Sequence, residues 1–269
     1  MPRAALGQQT PALPAVPLHW ARPQWPDLPG VAALVTARTG GCSRAPWDSA
    51  NLGTHVDDAV ADVTRNRAAL RAWLPADPVW LRQVHSVRVH HARAAQQDVA
   101  APVVEPEADA VIACEPGVVC GVLVADCLPV LLADAQARGV GAVHAGWRGL
   151  AGGVIQEAVL ALRRALGDPA AQVLAYLGPA IGPQHFVVGP EVLAAMEQRL
   201  PAARAAFAPD RDPARYRADL FALARMALAQ VGVGQVSGGG ECTYGAPDRY
   251  FSYRRDGRTG RQGAFVWLR

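Results

Sequence analysis

The stretch from residue 125 to residue 149, ADCLPVLLADAQARGVGAVHAGWRG, constrains the fold more than any other part of the chain. Its short apolar runs are bounded by Gly, Pro and Asp, which is typical of buried β-strands. Cys127 follows one such run, and His144 ends the next. His85 has a similar setting at the end of the alternating segment VWLRQVH. A side chain that can bind metal, placed at the end of a buried strand, indicates a functional role. We therefore expect the fold to bring these three residues together.

The composition excludes several classes of protein. With 269 residues, 51% of them hydrophobic and 18% charged, the chain can bury a sizeable core in one large domain or two small ones. A net charge of +3 is too small to indicate nucleic acid or an anionic membrane as a partner. The chain contains no run of about 18 apolar residues, so we expect no membrane-spanning segment. Residues 1–30 are Pro-rich and lack the apolar core of a secretory signal, which predicts a flexible leader and a cytoplasmic protein.

The cysteines do not follow a pattern of disulfides or of a structural zinc ribbon. Their number is five, which is odd, and no two of them form a CxxC pair. We therefore expect free thiols, and any bound metal must have ligands that are far apart in sequence.

The remaining pattern predicts strands and helices in irregular order, which favours an α+β fold over a doubly wound one. Three strands are expected within 108–134, with Pro129 interrupting the chain so that Cys127 lies at an exposed strand end. Further strands are expected within 31–39, 79–92, 139–146, 172–183 and 264–269. Helices are expected over 57–74, 147–167 and 219–231, with another inside 187–200.

The three side chains at the strand ends allow two kinds of chemistry. Two imidazoles and a thiolate form a three-ligand zinc site that leaves a fourth position for water or substrate. Zinc lowers the pKa of a bound water and polarises a leaving group. Alternatively, Cys127 is a nucleophile, with His144 or His85 as its base and Asp126 orienting that base. Spacing alone leaves both interpretations open, beside the simpler one that Cys127 is a buried apolar side chain.

Several motifs, spread over the chain from about Val31 to the C-terminus, resemble those of the laccase-domain, YfiH-like purine nucleoside phosphorylases. They are RTGGCS, SANLG, RQVHS, ADAVIA, ADCLPVLL, AVHAGWRGL, LGPAIGPQHFVVGPEV and FSYRRDGRTGRQ. The resemblance implies a single catalytic domain over 31–269 with a four-layer α/β/β/α mixed β-sandwich. It also implies zinc as the cofactor, with His85, Cys127 and His144 as metal ligands and catalytic residues.

The activity that the resemblance implies is phosphorolysis of adenosine, inosine, guanosine and methylthioadenosine to the free base and ribose 1-phosphate. Accessory deamination of adenosine would use a water activated by the same metal. The expected partners are therefore purine nucleosides and inorganic phosphate, with no nucleic acid and no membrane, and the protein is expected to be a monomer or a weak homo-oligomer. Small departures from the family pattern, such as QVHS in place of QVHG, concern substrate preference more than the reaction.

Arginines in the matching motifs are candidates for phosphate binding, because a guanidinium forms bidentate, charge-assisted hydrogen bonds. They are Arg38, Arg65, Arg148, Arg254 and Arg255. Ser43 and Asn51 are candidates for contact with ribose hydroxyls. For each arginine, a structural salt bridge is the alternative explanation, and for Ser43 and Asn51 it is a surface loop.

Three other functions remain open. A multicopper polyphenol oxidase needs more histidines than the seven in this chain, although one copper ion in the His85, Cys127 and His144 site would still be feasible. A Cys127-based cysteine hydrolase would keep its activity in the presence of chelators and lose it on alkylation. A non-enzymatic module would bind metal or a partner and cleave no nucleoside.

Overall fold

The computed structural model describes residues 20–23, 28–94 and 105–269. Most of the predicted leader, residues 1–19 and 24–27, lies outside the described residues. The part of it that is described contacts the fold: Ala21 pairs with Val35, and the rings of Trp20 and Trp73 pack edge to face with their centroids 6.2 Å apart.

The strands and helices alternate irregularly along the chain. The strands are β1 (Val31–Val35), β2 (Pro78–Val79), β3 (Val89–His91), β4 (Ala110–Ala113), β5 (Val119–Val124), β6 (Leu128–Asp134), β7 (Val140–Ala145), β8 (Val173–Leu177), β9 (Val187–Val188), β10 (Phe207–Pro209), β11 (Tyr216–Ala218), β12 (Val236–Gly238) and β13 (Gln262–Leu268). The helices are α1 (Val60–Arg71), α2 (Trp147–Gly152), α3 (Val154–Ala165), α4 (Pro190–Arg199), α5 (Leu220–Gln230) and α6 (Tyr253–Asp256).

Two mixed sheets form the centre of the molecule. One has four strands in the order β1-β13-β5-β2, and the other has six in the order β12-β8-β6-β7-β4-β3. A small antiparallel sheet, β10-β11-β9, lies apart from both. Within the six-stranded sheet, the outer pairs β12–β8 and β3–β4 are parallel and the inner pairs are antiparallel.

The sheets pack face to face, and helices cover both outer faces. Successive residues of a strand point to opposite faces, so alternate residues of β5 and β13 enter different cores. Val122 and Val266 pack against the six-stranded sheet, whereas Leu123 and Phe265 pack against Leu70 of α1. The other face of the six-stranded sheet packs against α2, α3, α4 and α5. This arrangement confirms the predicted α/β/β/α layers.

Most predicted elements are confirmed, but three local predictions are wrong. The expected helix over 147–167 is two helices, since Gly153 between α2 and α3 has a left-handed φ of 98°. The expected strand over 79–92 is a loop around His85, flanked by the short strands β2 and β3. Pro129 does not interrupt a strand. It is the second residue of β6, where its carbonyl accepts a hydrogen bond from the Gly178 N–H (2.9 Å) and its missing N–H is tolerated.

Candidate metal centre

The predicted His85, Cys127 and His144 side chains meet at one end of the six-stranded sheet. Cys127 directly precedes β6, and His144 is in β7, the neighbouring strand. His85 comes from the loop between β2 and β3. One ligand atom from each residue lies within 4.8 Å of the other two. The Cys127 Sγ is 3.8 Å from the His85 Nε2, and the two imidazole rings lie edge to face with their centroids 4.8 Å apart.

A single buried carboxylate, that of Asp109, contacts two of these three residues, His85 through its backbone N–H and His144 through its imidazole. It accepts hydrogen bonds from the backbone N–H groups of Val84 (3.2 Å), His85 (2.9 Å) and Ser86 (2.6 Å), and from the Ser86 hydroxyl (2.8 Å). Its Oδ1 also lies 2.8 Å from the Nδ1 of His144. This contact leaves the Nε2 of His144 for a metal, the carboxylate–histidine arrangement that orients metal ligands in proteins. Asp109 is therefore a positioning residue.

A second carboxylate, that of Asp126, fixes the turn that carries Cys127. Asp126 is buried and has a φ of 91°, an uncommon conformation for a residue with a side chain. Its Oδ1 accepts from the Thr243 hydroxyl (2.6 Å) and its Oδ2 from the Arg254 N–H (2.6 Å). Its carbonyl accepts from the N–H of Ile181 (2.9 Å). The Asp126 carboxylate therefore holds the turn. The His144 imidazole is oriented by Asp109, and not by Asp126 as the nucleophile interpretation predicted.

Burial and mutual contact shift the protonation of the three polar groups at the centre. Burial alone would raise the pKa of the Cys127 thiol, but the imidazoles of His144 and His85 outweigh it and lower this pKa. Burial would lower the pKa of His144, but the Cys127 sulfur and the Asp109 carboxylate raise it. Burial would also raise the pKa of Asp109, yet hydrogen bonds from His144 and Ser86 bring it down to about 2. The thiolate that a metal requires is thereby favoured.

The donor set fits a zinc ion. Zinc is commonly bound by thiolate and imidazole, with Zn–S near 2.3 Å and Zn–N near 2.1 Å, so a tetrahedral site has S···N edges of about 3.6 Å. The observed 3.8 Å between the Cys127 Sγ and the His85 Nε2 is close to that edge. Among residues 20–23, 28–94 and 105–269, this is the one group of His, Cys, Asp and Glu side chains that could hold a metal ion.

Gly146 lies against the centre, where no side chain fits. A Cβ at this position would be 2.8 Å from the His85 Cδ2 and 2.9 Å from the Cys127 Sγ. Any residue can adopt the φ of −67° at Gly146. Glycine is therefore required here only because there is no room for a side chain.

We expect Gly146→Ala to weaken zinc binding by at least about 10-fold, since the new methyl group displaces two ligands from their positions. Competition with a chromophoric chelator measures this affinity. Gly234→Ala is the matched control, because a Cβ at Gly234 meets nothing within 4 Å. An unchanged zinc affinity in Gly146→Ala would show that the metal does not bind between His85 and Cys127.

Four of the predicted substrate residues form internal hydrogen bonds. Ser43 and Asn51 are buried, and both donate to the Asp58 Oδ2, at 2.7 Å and 2.8 Å. The Arg38 guanidinium donates to the carbonyls of Asp48 and Pro247 and lies over a phenylalanine ring, that of Phe251. Arg65 is exposed, pairs with Asp62 and donates to the Cys42 Sγ at 3.4 Å.

The other predicted arginines differ in how fully their guanidinium groups are engaged. Arg255 donates to Asp256 and to the carbonyls of Thr243, Tyr244 and Tyr250, which is a structural role. Arg254 donates from Nη1 to the Val187 carbonyl. Arg148 is exposed, and within the part of the chain that the structure describes its guanidinium contacts only the Trp147 ring, 4.3 Å from the centroid.

Sequence reasoning missed Asp109 and Arg261 as functional candidates. Burial lowers the pKa of the Arg261 guanidinium, and the nearby Cys127 and Asp126 partly offset this effect, which places a cation close to the centre. Arg261 belongs to the motif FSYRRDGRTGRQ, the same motif that contains the predicted Arg254 and Arg255, so the sequence did carry a signal for it. Asp109 belongs to ADAVIA, where a carboxylate directly before a buried strand was the available signal.

Fold and site together define a class: a single-domain mixed α/β protein with a His–Cys–His metal-capable group at the end of its larger sheet. The chain belongs to the family described as multi-copper polyphenol oxidoreductase laccase, whose family model matches residues 32–269. The resemblance predicted from the motifs is thereby confirmed.

Relatives from two bacteria are similar over nearly their whole length. The chain is 46% identical over 249 residues to a purine nucleoside phosphorylase of Pseudomonas aeruginosa, covering 93% of this chain and 98% of that one. It is 46% identical over 248 residues to purine nucleoside phosphorylase YfiH of Escherichia coli, covering 91% and 97%.

Solved structures confirm the fold. A Neisseria meningitidis protein has a TM-score of 0.83 at 42% identity, covering 93% of this chain and 99% of that one. YlmD from Geobacillus stearothermophilus has a TM-score of 0.85 at 33% identity, covering 93% and 96%. Separately, none of the helices in the described residues is long and apolar enough to cross a membrane.

Proposed function

We propose that this protein is a zinc-dependent purine nucleoside phosphorylase with an accessory adenosine deaminase activity. The observation that carries the proposal is the convergence of His85, Cys127 and His144 within 4.8 Å, with the buried Asp109 holding both histidines. The names of the similar bacterial proteins support phosphorolysis as the reaction. The substrates would be adenosine, inosine, guanosine and methylthioadenosine, together with inorganic phosphate.

Phosphorolysis requires a cation for phosphate and a stabilised departing base. Phosphate attacks the ribose C1′ as the bond to the purine breaks, so positive charge develops on the sugar and negative charge on the base. When bound by His85, Cys127 and His144, zinc would supply a Lewis acid that polarises a reacting oxygen. Asp109 would keep the His144 imidazole and the backbone of the His85 loop in place, because its buried carboxylate bonds to both.

Three arginines best meet the need for a phosphate cradle. Arg148 follows His144 by four residues and has no carboxylate partner among the described residues. The backbone N–H of Arg254 bonds to Asp126, next to Cys127, which places this arginine beside the centre. Arg261 is close enough to Cys127 and Asp126 to be affected by their charge. Arg38 and Arg65, by contrast, have their guanidinium groups paired with Asp48 and Asp62.

Ser43 and Asn51 would shape the site by bracing the loop that carries them. Asn66 donates to the Ser43 Oγ (2.9 Å) and to the Asn51 carbonyl (2.9 Å), and Asp58 accepts from both Ser43 and Asn51. The Asn51 Oδ1 in turn accepts from the Arg261 N–H (2.9 Å). These two residues would therefore act on substrate through the placement of Arg261.

Separation of the products tests phosphorolysis against hydrolysis. Purified protein is incubated with inosine in phosphate buffer and in phosphate-free buffer, and adenosine is used in a parallel reaction. We expect hypoxanthine and ribose 1-phosphate only with phosphate, and inosine from adenosine as the mark of deamination. Free ribose would instead indicate hydrolysis, and no base release from any of the nucleosides would refute the phosphorylase proposal.

A further inference from the structure

A second cysteine–histidine pair, Cys242 and His185, lies outside the metal centre. The Cys242 Sγ is 3.4 Å from the Nδ1 of His185, and the His185 ring stacks on the ring of Tyr244 with centroids 4.5 Å apart. Cys242 follows β12, and His185 lies in the loop after β8. The proposed function uses neither residue.

Two backbone amides also point at this sulfur. The Gly182 N–H donates to the Cys242 Sγ at 3.1 Å, and the Gly245 N–H donates to it at 3.4 Å. Converging amide N–H groups favour an anion, and the His185 ring nitrogen lies within reach of the thiol proton. The guanidinium of Arg255 adds positive charge nearby, because it donates to the carbonyls of the next two residues, Thr243 and Tyr244.

Cys120 shows how a purely structural thiol of this chain differs. It is fully buried in the apolar core between the sheets, where burial raises its pKa. Cys242 and His185 are both partly exposed, and the neighbouring Gln184 and Gly245 are exposed. Cys242 is therefore partly open to solvent, whereas Cys120 is not.

We propose that Cys242 is a reactive thiol that exchanges reversibly with low-molecular-weight disulfides. The Sγ proton passes to the Nδ1 of His185, and the Sγ thiolate then attacks one sulfur of the disulfide. A new S–S bond forms as the old one breaks, and the departing sulfur leaves as a thiolate that takes the proton from the imidazolium. One disulfide bond is lost and one is gained, so no further oxidant is required.

The site is linked to the metal centre through hydrogen bonds. Thr243, next to Cys242, donates from its hydroxyl to Asp126 (2.6 Å), and Asp126 precedes Cys127. A second link runs through Ile181, the residue before Gly182, whose N–H donates to the Asp126 carbonyl (2.9 Å). Gly182 is packed so closely that a Cβ there would lie 3.2 Å from the Cys242 Sγ, so there is little room for an adduct on this side of the sulfur. We expect modification of Cys242 to shift this loop and to loosen the turn that holds Cys127.

The test maps adducts on the full-length, zinc-loaded protein treated with glutathione disulfide near neutral pH. Peptide mass spectrometry follows each cysteine separately. We expect Cys242 to react at least about 10-fold faster than Cys114, a partly exposed thiol that burial and nearby carboxylates make less acidic. His185→Gln should slow the Cys242 adduct by a similar factor. A Cys242 that reacts no faster than Cys114 overturns the proposal, and this result does not depend on phosphorolysis.

The link to the metal centre has a separate readout. Zinc release to a chromophoric chelator should become several-fold faster after treatment of the wild-type protein, and reduction with dithiothreitol should reverse the change. Cys242→Ser should bind zinc normally and show no change on treatment. Equal acceleration in Cys242→Ser would place the effect on another cysteine, and an unchanged rate in the modified wild-type protein would refute the link.

Discussion

Cys127→Ala is expected to abolish stoichiometric zinc binding and to reduce phosphorolysis of inosine by roughly 100-fold or more. Cys127 supplies the one thiolate of the centre, and loss of a ligand should exceed the 10–100-fold cost of losing a residue that merely orients one. The substitution removes only a small group at a partly exposed position, so the fold should persist. Elemental analysis of the purified variant and the inosine assay measure the two effects.

Cys114→Ala is the matched control for this experiment. Cys114 is another partly exposed free cysteine, at the end of β4 away from the metal centre, so its removal should leave the zinc content and the phosphorolysis rate unchanged. Loss of activity on chelation separates the metal-dependent enzyme from a cysteine hydrolase. A Cys127→Ala variant that is inactive while the wild-type enzyme resists chelators would favour the hydrolase.

Asp109→Asn is expected to lower zinc affinity by roughly 10- to 100-fold and to destabilise the protein by about 3 kcal/mol. The carboxylate accepts from three consecutive N–H groups, from the Ser86 hydroxyl and from His144. An amide in its place turns an NH₂ group towards some of these donors, so buried polar groups lose their partners. Chelator competition measures the affinity, and urea unfolding measures the stability.

Asp134→Asn separates the two effects of that substitution. Asp134 is equally buried and accepts hydrogen bonds from Gln136 and from the Arg138 backbone and guanidinium. It ends β6, about 20 Å along the strand from Cys127. We expect a similar loss of stability and no change in zinc affinity. If both variants lost the same affinity, general destabilisation would account for the Asp109 result.

Inner strands of both sheets could be predicted because their apolar runs have clear boundaries. β5, β6 and β7 are buried on both faces, so each is an uninterrupted apolar segment between turn residues. The same feature placed Cys127 and His144 at adjacent strand ends. The layered arrangement followed from the resemblance to a known family, since periodicity alone does not say which sheet faces pack together.

The His85 loop could not be predicted from its own sequence. VWLRQVH alternates like a strand, but Asp109 takes the N–H groups of Val84, His85 and Ser86 that a strand ladder would have used. The acceptor is more than twenty residues away along the chain, so no local pattern reports it. The left-handed φ of 60° at His85 is a consequence of this capture.

The break at Gly153, between α2 and α3, has a signal in the sequence, the pair Gly152-Gly153. The helical periodicity of the apolar residues nevertheless favoured a single helix. Apolar residues continue at helical spacing across Gly152 and Gly153, which favours one long helix. The structure ends α2 with Gly153 in a left-handed conformation, and the guanidinium of Arg199 packs where a Cβ would be. The substrate residues were harder still, because whether Ser43 and Asn51 face a ligand or Asp58 depends on the loop's tertiary partners.

The most direct test of the account is a zinc titration of metal-depleted protein, with phosphorolysis of inosine measured after each addition. We expect activity to rise in proportion to bound zinc and to stop rising at one ion per chain, while Cys127→Ala gains no activity. Full activity in the metal-depleted protein, or no phosphorolysis with one zinc ion bound at His85, Cys127 and His144, would contradict it.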